Sequence, residues 1–261
     1  MNGKKSRALV IIDPQNDFCD QSGSLYVDGA EGDIFRLARH IAQTGRAYDE
    51  IIVSLDSHDV IAIFHPRFWV DASGKNPSPL TQITVSDYRS GKWRASSDGY
   101  ARYADKMFKT LGEKNMDSMM VWPEHCVVST RGHQIAGALR EVLILWRREV
   151  GRAVRYVFKG ENPYTEQFSI FEGIDGSWPE TAFNENLYSR LKEFDALVFA
   201  GEALSHCVEA SVSSYVGHGV RRLDQEISIL SDCTSPVAGF PRNDSISRLE
   251  ALGVRFVPSV G

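Results

Sequence analysis

The chain has 261 residues, 43% hydrophobic and 24% charged, with a net charge of −5 and an isoelectric point near 5.8. That is enough apolar material for a substantial core, and the acidic balance gives no basic footprint for a nucleic-acid partner. No apolar run is long enough to span a bilayer and Met1 to Arg7 lacks the apolar centre of a secretory signal, so no membrane partner and a cytoplasmic location are expected.

In chain order, the first apolar run, Ala8 to Ile12, has the length and branched residues of a buried strand and stops at Asp13-Pro14. A helix is predicted over Ile34 to Gln43, then a strand over Ile51 to Leu55 that stops at Asp56-Ser57-His58. Residues 70–120 begin rich in Ser, Gly, Lys and Asp, then show helical spacing of apolar side chains from Tyr100 to Leu111. Trp122-Pro-Glu-His-Cys126 follows. Between Arg140 and Arg155 basic residues alternate with Leu143, Leu145 and Trp146, so a helix over Gly137 to Arg147 with a solvated cationic face is predicted. Further strands are predicted at Val154 to Phe158, Ala196 to Ala200, Ile227 to Leu230 and Val254 to Val257. Helices are predicted at Phe183 to Phe194, Cys207 to Gly217 and Ser245 to Leu252. Apolar strands between amphipathic helices imply a parallel sheet covered on both faces, an α/β three-layer doubly wound sandwich. No repeat or linker divides residues 1–261, so one domain is expected.

Three polar residues follow predicted strands: Asp13, Lys159 and, within Gly201-Glu-Ala-Leu-Ser-His-Cys-Val208, Cys207. Each has an ordinary reading, as a turn former before proline, a solvated strand-end charge and a small packed hydrophobe. In an open parallel sheet the carboxyl ends of the strands face one crevice, where an acid, an ammonium and a thiol would make a site for covalent acyl transfer. A cysteine where a strand turns into a helix is expected to have a lowered pKa, since the helix N–H groups stabilise a thiolate. The N–H groups of Cys207 and of the turn near Ala203 are candidate oxyanion donors. Asp56 and His58, two apart on extended chain, point to the same side. A carboxylate with two imidazoles suits zinc, iron(II) or manganese, while Asp-x-His alone is equally an exposed turn. Cys19, Cys126, Cys207 and Cys233 show no CxxC spacing and are expected as reduced thiols.

These blocks resemble the isochorismatase-like cysteine hydrolases, and within them the nicotinamidases. Asp13-Pro-Gln-Asn-Asp-Phe-Cys19 is similar to the family's first strand end, Lys159-Gly160 with Phe168-Ser-Ile-Phe171 to its lysine block, and Gly201 to Val208 to its nucleophile loop, in family order over most of the chain. The resemblance implies strand order 3-2-1-4-5-6, with Asp13 and Cys207 at the switch point. It implies a triad of Asp13, Lys159 and Cys207, and a cis peptide between Glu202 and Ala203 that aims the Ala203 N–H at the oxyanion. It implies one divalent metal, zinc before iron or manganese, on Asp56, His58 and His125, and no organic cofactor. His65, in Phe64-His65-Pro66, is a further possible ligand, otherwise placed beside the ligands or at the surface. Phe18 and Trp122, with Phe168, would wall a small amide, nicotinamide, whose ring nitrogen the metal positions while the thiol meets the carboxamide. Homo-oligomers are common in that family, but no interface is visible in this sequence.

Two features depart from the family pattern. Most relatives carry Ala-Thr-Asp where this chain has Ala203-Leu204-Ser205, which removes polar groups that would hydrogen-bond the turn. Residues 70–120 exceed the usual loop and read as an inserted lid or oligomer contact. Two alternatives stay open: a hydrolase of another small amide or carbamoyl compound, and a non-catalytic binding module of the same fold, against which the complete triad argues.

Overall fold

A computed structural model describes residues 5–219, 222 and 224–260, so Met1 to Lys4 of the leading segment lies outside the described residues. The central sheet has six parallel strands, in spatial order Arg255–Val257, Glu226–Leu230, Ala196–Gly201, Arg7–Ile12, Glu50–Asp56 and Arg155–Lys159. Counted along the chain this is the expected order 3-2-1-4-5-6, reversing direction between Arg7–Ile12 and Ala196–Gly201. Adjacent strand ends at that reversal leave a crevice, and Asp13 and the loop after Gly201 both open into it.

Alternation along the strands divides the core into two layers. Leu9 and Ile11 pack with Ile34 and Leu37 of helix Ala30–Thr44 and with Leu139, Leu143 and Trp146 of helix Gly137–Val150. Ala8, Val10 and Ile12 face the other way, against Leu187 and Leu191 of helix Glu185–Leu191, Val212 and Tyr215 of helix Glu209–Gly217, and Leu249 of helix Arg242–Ala251. Each such side chain, fully removed from water, stabilises the fold by about 1.5–3 kcal/mol.

Some elements differ from the sequence expectation for local reasons. The helix expected from Phe183 begins at Glu185, because the Asn184 side chain accepts the Leu187 N–H at 3.0 Å and caps it there. The apolar run Val154 to Phe158 belongs to a sheet edge, where Tyr156 and Phe158 are exposed. Leu145 likewise faces solvent, since the buried stripe of its helix runs through Leu139, Leu143 and Trp146.

Residues 70–120 have a core of their own. Thr81–Thr84 pairs antiparallel with Ser118–Val121, Trp69–Val70 pairs with Arg94–Ala95, and helix Asp98–Glu113 starts at Ser97, whose hydroxyl accepts the Gly99 N–H. Phe68, Trp69, Ile83, Met107, Phe108 and Leu111 are buried together with Val121 and Trp122. The N–H of Trp122 donates to the Phe64 carbonyl at 2.8 Å, so this unit braces the segment that carries Trp122 and His125. Among the described residues, no helix is long and apolar enough to cross a membrane.

Candidate active site

Asp13, Lys159 and Cys207, far apart in sequence, meet at the carboxyl ends of three strands. Asp13 follows Arg7–Ile12 in the left-handed backbone region (φ 42°), which aspartate tolerates. Its N–H donates to the Ser54 hydroxyl at 3.0 Å, and that hydroxyl donates back to Oδ1 at 2.6 Å. Lys159 ends its strand fully enclosed, with Nζ 2.9 Å from Asp13 Oδ2, 2.8 Å from Asp56 Oδ1, 3.2 Å from the Gln167 carbonyl and 3.6 Å from Cys207 Sγ. Four acceptors thus surround three ammonium protons. Gly201, at φ 104°, lets the chain turn into the nucleophile loop; a Cβ there would stand 2.0 Å from the Ile12 carbonyl oxygen. Cys207 lies in a π-helical turn, Leu204–Val208, ahead of helix Glu209–Gly217. The expected cis peptide joins Glu202 to Ala203. Among the described residues the Ala203 N–H has no hydrogen-bond acceptor, so it is available to an oxyanion.

Protonation in this group departs from the sequence expectation. Burial pushes the Cys207 thiol well above its usual range; Lys159 opposes that, and the Asp13 and Asp56 carboxylates add to it. That direction is opposite to the lowering that a helix terminus suggested. Burial also raises Asp13, against the pull of Lys159. Burial disfavours the Lys159 ammonium, but the Asp13 and Asp56 carboxylates outweigh it and hold the amine charged.

A second cluster adjoins the first through Asp56. His58 donates Nδ1–H to the Gly160 carbonyl at 3.1 Å, His125 to the Pro123 carbonyl at 2.8 Å and His65 to the Val60 carbonyl at 3.3 Å, so all three imidazoles turn Nε2 away from these carbonyls. His58 Nε2 is 2.9 Å from Asp56 Oδ2 yet makes no hydrogen bond, and His125 Nε2 is 3.6 Å from the same oxygen. Neighbouring ligands of a divalent ion with bonds of about 2.0–2.2 Å lie roughly 3–3.5 Å apart, so Asp56, His58 and His125 fit such an ion. Burial would raise the Asp56 carboxyl, but His58 and Lys159 hold it well below its usual range. Burial and the two other imidazoles bring His65 down to about 3. His65 is fully buried, which excludes the surface reading; its Nε2 has no partner and its ring lies edge-on to His58 and His125, 5.6 and 5.4 Å between centroids. Gly160 lies against this cluster at φ 74°, where a Cβ would meet His58 Cε1 at 2.4 Å and Asp56 Oδ1 at 2.8 Å.

Both clusters open on one cleft, the first through Cys207 and the second through Asp56 and His125. Phe18, Trp122 and Phe168 line it, as expected, beside Asp56, His125, Ala203 and Cys207. Its other walls are Leu25, Val27 and Val237; no lining residue comes from 70–120. Sequence reasoning missed four contributors. Glu166 accepts the Trp122 indole N–H at 3.1 Å, and burial pushes its carboxyl up to about 7. His206 lies between Trp122, Phe168 and Phe240. Gln15 clasps the Asp56 backbone from both sides, and the Gln167 side chain accepts the Gly160 N–H at 3.1 Å. Gln15 and His206 adjoin blocks already singled out, whereas Glu166 and Gln167 carry no local pattern.

No protein-family model matches the chain. It is 27% identical over 248 residues to the nicotinamidase/pyrazinamidase of Mycobacterium tuberculosis, covering 94% of each. It is 23% identical over 235 residues to the nicotinamidase of Saccharomyces cerevisiae, covering 90% of each. In structure it matches the yeast nicotinamidase bound to the inhibitor nicotinaldehyde, with TM-score 0.68, 22% identity and coverage of 97% of this chain and 99% of that one. It also matches the pyrazinamidase of Pyrococcus horikoshii in complex with zinc, with TM-score 0.58, 17% identity and coverage of 97% and 99%. The sheet order and the converging strand ends are those of the isochorismatase-like hydrolase fold that these structures share, and the curated relatives that the chain resembles are amidohydrolases. The likeness to these curated nicotinamidases runs nearly end to end.

Proposed function

We propose that the protein hydrolyses nicotinamide to nicotinate and ammonia through a thioester on Cys207. The observation that carries this reading is Lys159, whose one buried ammonium reaches Asp13, Asp56 and, at 3.6 Å, the Cys207 sulfur on the floor of an aromatic cleft. Asp13 takes the thiol proton as sulfur attacks the carboxamide carbon, and Lys159 stabilises the charge that develops. The oxyanion is received by the Ala203 and Cys207 N–H groups. Asp13 then returns the proton to the departing nitrogen, the C–N bond breaks and ammonia leaves. Water, deprotonated by Asp13, attacks the thioester, and nicotinate leaves with the thiol restored.

Phe18, Trp122 and Phe168 hold the ring in this reading. Asp56, His58 and His125 would hold a divalent cation, zinc first for its affinity for mixed carboxylate and imidazole donors, with His65 an additional donor. Bound there, the cation supplies an electron-pair acceptor for the pyridine nitrogen, directly or through water. The zinc complex of the P. horikoshii protein supports the metal, and the nicotinaldehyde complex of the yeast protein supports a pyridine ligand. A cytoplasmic location fits four cysteines that remain free thiols.

Ammonia release from nicotinamide by metal-loaded protein, beside Cys207→Ala and a chelator control, tests the reading. Release that needs both Cys207 and metal is the expected result. Release that survives Cys207→Ala overturns the thioester, and turnover of other amides but not nicotinamide overturns the substrate.

A further inference from the structure

Glu202 and Asp33 are buried carboxyl groups outside both clusters, with relative exposures of 0% and 3%. Glu202 belongs to the nucleophile loop and Asp33 to the first turn of helix Ala30–Thr44, and both close on Ser235. The Ser235 N–H donates to Glu202 Oε2 at 3.1 Å and the Ser235 hydroxyl to Asp33 Oδ2 at 2.5 Å. Arg36 donates to the other Asp33 oxygen at 2.5 Å, so Asp33 has donors on both oxygens and a cation to balance its charge. Glu202 Oε1 differs: it is enclosed and has no hydrogen-bond partner, and the nearby Asp33 carboxyl raises the Glu202 pKa. Two bare carboxylates in one dry enclosure repel strongly, whereas one proton between them makes an O–H···O bond and leaves Oε1 needing no donor.

We propose that Glu202 is kept as the neutral acid donating to the Asp33 carboxylate, and that this pair is a positioning element that fastens Ser235, and with it a wall of the cleft, to the nucleophile loop. Four hydrogen bonds lace residues 201–205 to 233–237. Gly201 N–H donates to the Cys233 carbonyl at 2.9 Å, Ser235 N–H to Glu202 at 3.1 Å, Leu204 N–H to the Ser235 carbonyl at 2.9 Å and Val237 N–H to the Ser205 hydroxyl at 3.0 Å. Val237 lines the cleft with Ala203 and Cys207, so slack in the lacing moves an oxyanion donor, the thiol and the facing wall relative to one another. Ser205, one of the two departures from the family pattern, has its place here, as the side chain that takes the Val237 N–H. The charged and titratable groups around Glu202 agree: burial and Asp33 push its carboxyl well above the usual range, and Arg242 only partly opposes them.

The inference rests on the reading of Cys207 as nucleophile, and infrared spectroscopy tests it independently of turnover. A protonated buried carboxyl has a C=O stretch apart from the carboxylate bands, and Glu202→Gln is expected to remove one such band. The Gln variant keeps an acceptor for Ser235 and a donor for Asp33, so its kcat is expected within about threefold of the parent, while Glu202→Leu lowers kcat about tenfold with KM moved less. An unchanged spectrum in the Gln variant, or full kcat in a folded Leu variant, overturns the proposal. Should the Leu variant not fold, Asp33→Asn decides, because loss of the negative charge facing Glu202 must shift the same band. A parent protein that shows the band but releases no ammonia would count against the proposed activity and leave the carboxyl pair standing.

Discussion

Lys159 Nζ lies 2.8 Å from Asp56 Oδ1, while the other oxygen of that carboxylate faces His58 and His125. One buried carboxylate thus serves the ammonium beside the thiol and the imidazole cluster, so the two halves of the site are not independent. Asp56→Asn is expected to do more harm than His125→Ala: both weaken metal binding, but only the first withdraws a negative partner from Lys159. Metal content and kcat measured on both variants check this, with a loss of at least about 100-fold in kcat expected for Asp56→Asn.

Replacing Lys159 should cost stability as well as rate. Lys159→Met leaves Asp13 and Asp56 facing each other without a cation in a dry enclosure, a situation that costs roughly 3–5 kcal/mol. Thermal unfolding near neutral pH is expected to show a large drop in Tm, and part of it should return on acidification, as Asp13 takes up a proton.

Glu166 gives stability a pH dependence with a definite sign. Its carboxyl is pushed up from 4.5 to about 7 by burial, so the folded state favours the protonated form. That contribution is complete below the unfolded pKa and is lost as pH rises through the folded one, from about 4.5 to about 7. Glu166→Gln, which keeps an acceptor for the Trp122 indole, is expected to gain stability over the parent between pH 5 and 8, by roughly 3 kcal/mol at most at 1.36 kcal/mol per unit. Unfolding of the metal-free proteins at both pH values measures it, and a constant difference would contradict the assignment.

Gly160→Ala tests the packing of the imidazole cluster without touching a ligand. The new Cβ would press on His58 Cε1 from 2.4 Å at a φ that alanine disfavours. Metal affinity is expected to fall about 10- to 100-fold, the range for disturbed ligand support. Titration calorimetry with zinc reads this directly.

The thiol should also be slow to alkylate. With the Cys207 thiol pushed up by burial, iodoacetamide is expected to label it at neutral pH no faster than a free cysteine, and Asp13→Asn should slow the enzyme without making the sulfur a standing thiolate. Rapid labelling of Cys207 at pH 6 would contradict the protonation state derived from its burial.

Local chemistry made much of this molecule legible before folding. Ala8 to Ile12, Ile51 to Leu55 and Ala196 to Ala200 carry the apolar runs of central strands, and strands of that kind in alternation with helices admit few arrangements. Asp13, Lys159 and Cys207 follow such runs, so their convergence could be expected from topology; Phe18, Trp122 and Phe168 entered through blocks similar to a known family. The same periodicity said nothing of depth: Tyr156 and Phe158, within the apolar run Val154 to Phe158, are exposed at the sheet edge.

What the sequence alone determined was which residues come to the switch point, because strand pattern and chain order depend on near neighbours. Tertiary structure alone decided their surroundings: a Cys207 thiol pushed up by burial, three imidazoles each turned by a backbone carbonyl, a Glu202 buried with Asp33 about Ser235, a raised Glu166 and a 70–120 unit that packs against Trp122. The physical reason is that protonation follows from desolvation and from charges within a few ångströms, and the charged groups around Cys207, Glu166 and Glu202 lie tens to hundreds of residues away along the chain.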